Sequence, residues 1–216
     1  MFKRQNVLHM LPAVFLLIGP ILSVSTADAR LGIVDPCNST ASSPGGCVMV
    51  CPAGDGENLS DDGATITVTV NDGVGNPIAY IPASDFWLIG CADGLVLCGG
   101  SASSNADGPT DDNGITTISG TIAAGGYDGG LEVVVQGVLI GCPVICLPIT
   151  VPSVDISGDL AVTLIDFAMF AQSYPPQPYD PSCDFNCDGL VDLVDFSKFA
   201  FHFYDPCEGN EHQCNP

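Results

Sequence analysis

Positive charge is what this sequence has least of. Four of its 216 residues are Lys or Arg against 25 Asp or Glu, a formal net charge of −21. A chain so short of cations does not bind nucleic acid by neutralising phosphates, and it is repelled by anionic membranes and polyanions. Histidine (3) and tryptophan (1) are also scarce, and glutamate is confined to positions 57, 132, 208 and 211. The aspartates fall mostly in Gly- and Asn-rich turns, where they cap backbone. No Ser-His-Asp, Cys-His or paired-carboxylate constellation emerges, so the protein is expected not to be an enzyme. Apolar runs long enough to span a bilayer are missing as well.

The longest apolar run lies near the start. Lys3 and Arg4 precede Ala13 to Val24, and Ala27-Asp28-Ala29 is a small-x-small cleavage signal. Residues 1–29 are therefore read as a secretory signal peptide rather than an uncleaved anchor. With it go Lys3, Arg4 and Asp28, which takes the 4 basic and 25 acidic residues to 2 and 24. The expectation is a secreted, extracellular or cell-surface protein, with no membrane insertion after cleavage.

Cysteine, by contrast, is plentiful: all 11 lie beyond the signal. In an exported chain that number favours disulfides. The spacings "CVMVC" and "CPVIC" also suit zinc ligands, but an oxidising compartment argues against that reading. The count is odd, so at least one thiol is free, modified or paired between molecules. Connectivity stays open.

Residues 30–60 are rich in Cys, Gly, Pro and Ser and read as a loop-rich segment held by Cys37, Cys47 and Cys51. From Ala64 the pattern changes. "ATITVTVND" alternates apolar and polar with a period of two, and "GVGNP" supplies a turn. "IAYIPASDFWLIGC", "GLVLC", "GITTISGTI" and "GLEVVVQGVLIG" follow, each bounded by turn residues. About seven strands at this spacing predict an antiparallel β-sandwich over 61–146. Trp87 is expected in its core, and Cys91 with Cys98 can close a local loop. "ITVTVNDGVGNPIAYIPASDFWL" followed by "TDDNGITTISGTI" resembles the bacterial Ig-like domains of the invasin and intimin type. That resemblance implies a spacer or binding module. "LPITVPS" (147–153) brings two prolines and reads as a stiff linker.

Beyond it the chain repeats itself. "VDISGDLAVTLIDFAMFAQSY" lies above "CDFNCDGLVDLVDFSKFAFHF" at an offset of 29 residues, so that Asp155, Asp159 and Asp166 match Asp184, Asp188 and Asp195. Calcium takes six to eight oxygens, and a tight loop directs them from positions 1, 3, 5, 7, 9 and 12. In the second loop these positions are Asp184, Asn186, Asp188, Leu190 (carbonyl), Asp192 and Asp195, with Gly189 at the sharp turn. In the first they are Asp155, Ser157, Asp159, Ala161 (carbonyl), Thr163 and Asp166. Leu160 replaces the turn glycine there. A positive φ at leucine costs roughly 1 kcal/mol or more, so the first site is expected to be the weaker, or empty. Each loop leads into a helix with apolar residues at i and i+3: Phe167 and Phe170, then Phe196 and Phe199. Val162 and Val191, at position 8, are expected to enter the same core. Cys183 and Cys187 flank and enter the second loop, with Cys207 and Cys214 beyond its helix.

Residues 154–206 resemble the dockerin family, which carries two D-x-N-x-D-G-x-V-x-x-x-D loop–helix repeats with Asp at position 12. The resemblance implies two bound Ca2+ and docking to a cohesin-like module, which in many bacteria tethers enzymes or binding proteins into assemblies that degrade polysaccharides. Dockerins choose partners through positions 10 and 11, held here by Leu164-Ile165 and Leu193-Val194 instead of small hydroxyl residues. Ala171-Gln172 and Ala200-Phe201 replace the basic pair further on. Two exposed aliphatic patches are thus expected, for a partner or for the chain's own sandwich. Residues 207–216 form a Cys-containing tail. The expected fold class is mainly β with a small α C-terminal domain: an Ig-like antiparallel β-sandwich plus a dockerin-like pair of calcium loop–helix units. The alternative to a docking component is a freestanding, calcium-stabilised surface or adhesion protein.

Overall fold

A computed structural model describes residues 32–100 and 104–203. The signal segment and the Cys207 and Cys214 tail lie outside the described residues. Within them the protein is mainly β, with ten strands in three sheets and two α-helices. No helix among the described residues is long and apolar enough to cross a membrane.

The first sheet has the order β1 (Thr40–Ser42), β3 (Ile66–Thr69), β6 (Ile115–Ile118), all antiparallel. The second pairs β4 (Phe86–Gly90) with β8 (Leu131–Val135) and β9 (Val138–Leu139). Gln136 and Gly137 join these last two strands, both at positive φ (50° and 82°), as a two-residue hairpin turn requires. The third sheet runs β2 (Gly46–Cys47), β10 (Ile149–Pro152), β7 (Ala124–Asp128), β5 (Leu95–Leu97). The alternating stretches therefore became strands, with Ile66, Val68, Phe86 and Leu88 fully buried. The expected turns are built by aspartates: Asp72 accepts from the Val74 and Asn76 N–H groups, and Asp111 from those of Asn113 and Ile115.

Several expectations are corrected. The stretch read as a linker, 147–153, is instead the buried strand β10, which pairs in parallel with β2 and antiparallel with β7. Leu147, Ile149 and Val151 alternate onto the main core with half-exposed Thr150 between them, but the prolines at 148 and 152 disguised the strand. The Cys/Gly/Pro-rich segment likewise supplies β1 and β2 and places Val48, Val50 and Leu59 in the main core. Trp87 is half-buried, because in β4 its neighbours Phe86 and Leu88 take the core-facing positions. Cys91 bonds Cys146, not Cys98, and Cys37–Cys142 and Cys47–Cys187 are further disulfides. Cys98 is also disulfide-bonded. The "CVMVC" and "CPVIC" pairs thus do not form a zinc set. Cys51 and Cys183 remain as buried thiols.

The run "VMVC" after Cys47 separates two cores. Val48 and Val50 face the larger one, while Met49 and Cys51 face a second that holds Val154, Val162, Phe170, Phe185, Val191 and Phe199. The ladder continues past the named strands, with Val50 N–H donating to Pro152 O and Val154 N–H to Val50 O. The two helices, α1 (Leu164–Ser173) and α2 (Leu193–Phe203), close the second core from outside.

Strand β7 carried no sequence signal, and its glycines explain why. A Cβ on Gly125 would lie 1.9 Å from Asp155 Oδ2, and one on Gly126 would lie 2.2 Å from Gly94 O. The strand is bare so that the loop beginning at Asp155 can rest on it, with Gly126 N–H donating to Asp155 O at 2.7 Å.

The Cys47–Cys187 bond, 140 residues apart in sequence, ties the second loop to this wall. Replacing both cysteines by serine should cost about 2–5 kcal/mol in denaturant unfolding and speed proteolysis between 187 and 203. An unchanged midpoint and cleavage pattern would contradict a clamping role.

Candidate calcium loops

The two loops are built alike, position for position. At position 1, Asp184 accepts from the N–H groups of Asp188 (3.2 Å) and Gly189 (2.9 Å). Asp155 accepts from the matching Asp159 (3.3 Å) and Leu160 (2.8 Å), and from Gly158 (3.0 Å). At position 5, Asp188 and Asp159 each receive the position 7 N–H, from Leu190 (2.9 Å) and Ala161 (3.0 Å). Positions 9 and 12 double as a helix capping box. Thr163 accepts from Ile165 N–H while Asp166 accepts from Thr163 N–H. In the second loop Asp192 accepts from Val194 N–H (2.7 Å) and Asp195 from Asp192 N–H (2.9 Å). Capping alone therefore accounts for positions 9 and 12, but not for oxygens at 1, 3 and 5.

The backbone repeats too. Positions 4 and 6 have positive φ in both loops: Gly158 (71°) and Leu160 (69°), then Cys187 (55°) and Gly189 (87°). Leu160 thus adopts the left-handed conformation that its glycine counterpart adopts freely, as expected from the repeat.

Four of the acids are taken out of water. Asp155, Asp166, Asp184 and Asp195 are each at most 1% exposed. No Lys or Arg neutralises them: Lys198, the one basic residue among the described residues apart from histidine, reaches Glu57 at 2.6 Å and Phe185 O at 3.3 Å. Burial pushes the Asp155 carboxyl up to about 6, with repulsion from Asp166 and Asp159 adding to it. Burial also raises Asp195, again with a contribution from a like charge, Asp184. The sign follows directly. A carboxyl whose folded-state value lies above 3.8 weakens the fold as pH rises from about 4 to 6 and it ionises. A divalent cation among these groups removes that penalty.

The donor set suits a hard cation: carboxylates, one amide oxygen, hydroxyls, and a carbonyl at position 7. Asn186 turns its oxygen toward the Asp188 N–H (3.1 Å) and its Nδ2 toward Asp188 Oδ2 (3.1 Å). Ser157 donates its hydroxyl to Asp155 Oδ1 (3.1 Å). The acids of neither loop gather as three ligand atoms within 4.8 Å of one another. Holding an ion therefore requires the loop carboxylates to draw closer together than they stand here.

The helices that follow show the repeat as a pseudo-two-fold. Phe167 meets Phe199 and Phe196 meets Phe170 at the same 6.1 Å and 38°, while Phe170 and Phe199 stack on each other at 5.7 Å. Val162, Val191, Phe170 and Phe199 are buried as expected. Phe167 (42% exposed) and Phe196 (39%) are not fully covered and line apolar grooves between the helices. The four aliphatic residues at positions 10 and 11 stay outside: Leu164 is 73% exposed, Ile165 58%, Leu193 70% and Val194 48%. One cluster gave no signal beforehand: Cys51, Asp55 and His202. His202 lies about 150 residues from Cys51 and Asp55 in sequence, and only the odd number of cysteines hinted at a free thiol.

Leu160→Gly relieves the one strained leucine in the first loop. It should raise stability by about 1 kcal/mol and tighten calcium at that loop, as read by calorimetric titration. An unchanged or weakened protein would show that Leu160 is held by packing that repays its φ.

No family model matches the chain, and no curated protein matches it. Among solved structures it is similar to one described as the crystal structure of the Lin-41 filamin domain, at 18% identity and a TM-score of 0.29, over 54% of this chain and 95% of that one.

Proposed function

We propose that this is a secreted, non-catalytic docking protein. In this reading two Ca2+ hold a dockerin-like pair of loop–helix units, which presents an apolar face to a cohesin-like partner. The β part is an Ig-like sandwich that carries this unit in an extracellular or cell-surface assembly, of the kind that degrades polysaccharides. The observation that supports it best is the exposure of Leu164, Ile165, Leu193 and Val194 as two matched pairs at the starts of the two helices. Isolated surface leucines need no explanation, but two matched pairs related by a pseudo-two-fold suit an interface. Covering one pair would yield about 2–4 kcal/mol. The grooves on either side, lined by Phe167, Phe196, Tyr174, Pro175 and Phe203, extend the same apolar surface.

A second reading keeps the calcium and drops the partner: a freestanding, calcium-stabilised surface protein. The packing of the C-terminal unit on its own β-sheets favours it. That packing includes the Cys47–Cys187 bond, the shared core at Met49 and Cys51, and the Glu57–Lys198 ion pair. Unlike a module on a flexible tether, the unit is fixed, so a partner would meet a rigid body.

Binding of the mature protein to a panel of cohesin modules, with calcium present, separates the two. The docking reading expects at least one binder, and Leu193→Asp with Val194→Asp should abolish binding while leaving calcium affinity within about twofold, since neither side chain is a loop ligand. Absence of binding across the panel favours the freestanding protein. Unfolding of the double variant would make these residues core and remove the docking face.

A further inference from the structure

We propose that Cys51, Asp55 and His202 form a mononuclear zinc site, separate from the calcium loops. One ligand atom from each lies within 4.8 Å of the others, and among the described residues no other group of three His, Cys, Asp or Glu does so. The His202 Nδ1 to Asp55 Oδ1 distance is 3.8 Å. A tetrahedral ion with bonds of ~2.0–2.3 Å sets its ligands ~3.3–3.7 Å apart. The three atoms thus need to draw together by about an ångström or less to meet such an ion.

The three residues sit on fixed elements. Cys51 ends the wall between the two cores, where it bridges to Ala123. Asp55 lies on the tight turn that follows, closed by the Gly54 N–H to Cys51 O bond at 2.9 Å. That turn is pressed onto the wall: a Cβ on Gly56 would come within 2.6 Å of Met49 O. His202 stands in the last turn of α2, buried to 4% exposure. The Glu57–Lys198 pair, one helical turn before His202, holds the same two segments together.

Ligand chemistry selects the ion. A thiolate and an imidazole with one carboxylate suit a borderline-soft cation and not calcium, which takes oxygens. Zinc has no redox chemistry of its own, so it can protect a thiol in a chain whose other cysteines are largely oxidised. Cys51 stays a thiol although Cys47, four residues earlier, is bonded to Cys187. Cys51 and His202 are buried, whereas Asp55 opens on a groove lined by Met49, Gly56, Glu57, Ser197 and Phe201. That groove is the entry path, and it leaves the fourth coordination position to water. Binding releases the Cys51 thiol proton to solvent. The ion would staple the end of α2 to the turn at 51–55, and it would hold whether or not the helices dock a partner.

The test uses the whole mature protein, stripped with chelator and reloaded with excess calcium so that the acidic loops are filled. Titration with Co2+ should give one ion per chain and a thiolate-to-cobalt charge-transfer band, which one equivalent of Zn2+ removes. Cys51→Ser should lose the band and Cys183→Ser should keep it. Asp55→Asn and His202→Asn should each weaken zinc at least ~10-fold, since even groups that merely support a ligand are worth that much. Absence of the band overturns the site, as does a band unchanged by Cys51→Ser. Zinc affinity equal in wild type and Asp55→Asn also overturns it, because that would be adventitious binding to acidic surface. Asp55 is at the rim, so its variant decides the matter if the buried Cys51 variant does not fold.

Discussion

Four aspartates are carried into the interior of a protein that has almost no positive charge to meet them. Asp155 and Asp166 close one loop, Asp184 and Asp195 the other. Burying an ionised carboxylate is costly unless it is hydrogen-bonded and paired. The hydrogen bonds come mostly from the loops' own N–H groups, with the Ser157 hydroxyl donating to Asp155 and the Tyr179 hydroxyl to Asp184. Among the described residues no Lys or Arg pairs with them. Most of the C-terminal geometry follows from this, including the positive φ at positions 4 and 6 and the caps that start both helices. A cation in each loop would complete the arrangement, and calcium is the ion proposed for it.

The helical unit has too small a core to stand by itself. It gains a floor from the wall formed by residues 48–51, whose opposite faces serve two cores, and from Val154 just beyond β10. It gains a cross-link from Cys47–Cys187 and a seat from the glycines of β7, over which the Asp155 loop lies. Loop geometry is thereby coupled to the β-sheets, while the residues at positions 10 and 11 of each loop remain turned to solvent. Surface ion pairs such as Glu57–Lys198 contribute at most about 1 kcal/mol and serve orientation more than stability.

Local patterns were legible in the sequence, and contacts between distant segments were not. Strands β3, β4, β6 and β8 announced themselves by alternation, because one face of each meets the core. The loops announced themselves by their repeat, with acids at matching positions 29 residues apart. Strand β10 alternates but is disguised by its prolines, and the run at 48–51 is apolar on both faces, which erases the alternation. Strand β7 is hidden by glycines that exist only to admit another segment. The Leu160 strain could be foreseen from the repeat, since its partner Gly189 showed which backbone was required. The disulfide from Cys47 to Cys187 and the meeting of Cys51 with His202 join residues some 140 and 150 positions apart, and no local rule reports such pairs.

The central claim is that divalent cations complete the buried acidic loops. Calorimetric melting of the mature protein, in saturating calcium and in chelator, tests it most directly. A ligand held only by the folded state stabilises it by about 2.7 kcal/mol at one hundred times its Kd. The account predicts a higher Tm with calcium, a shift largely lost in Asp184→Ala and less affected by Ser157→Ala. Superimposable curves with and without calcium would contradict it.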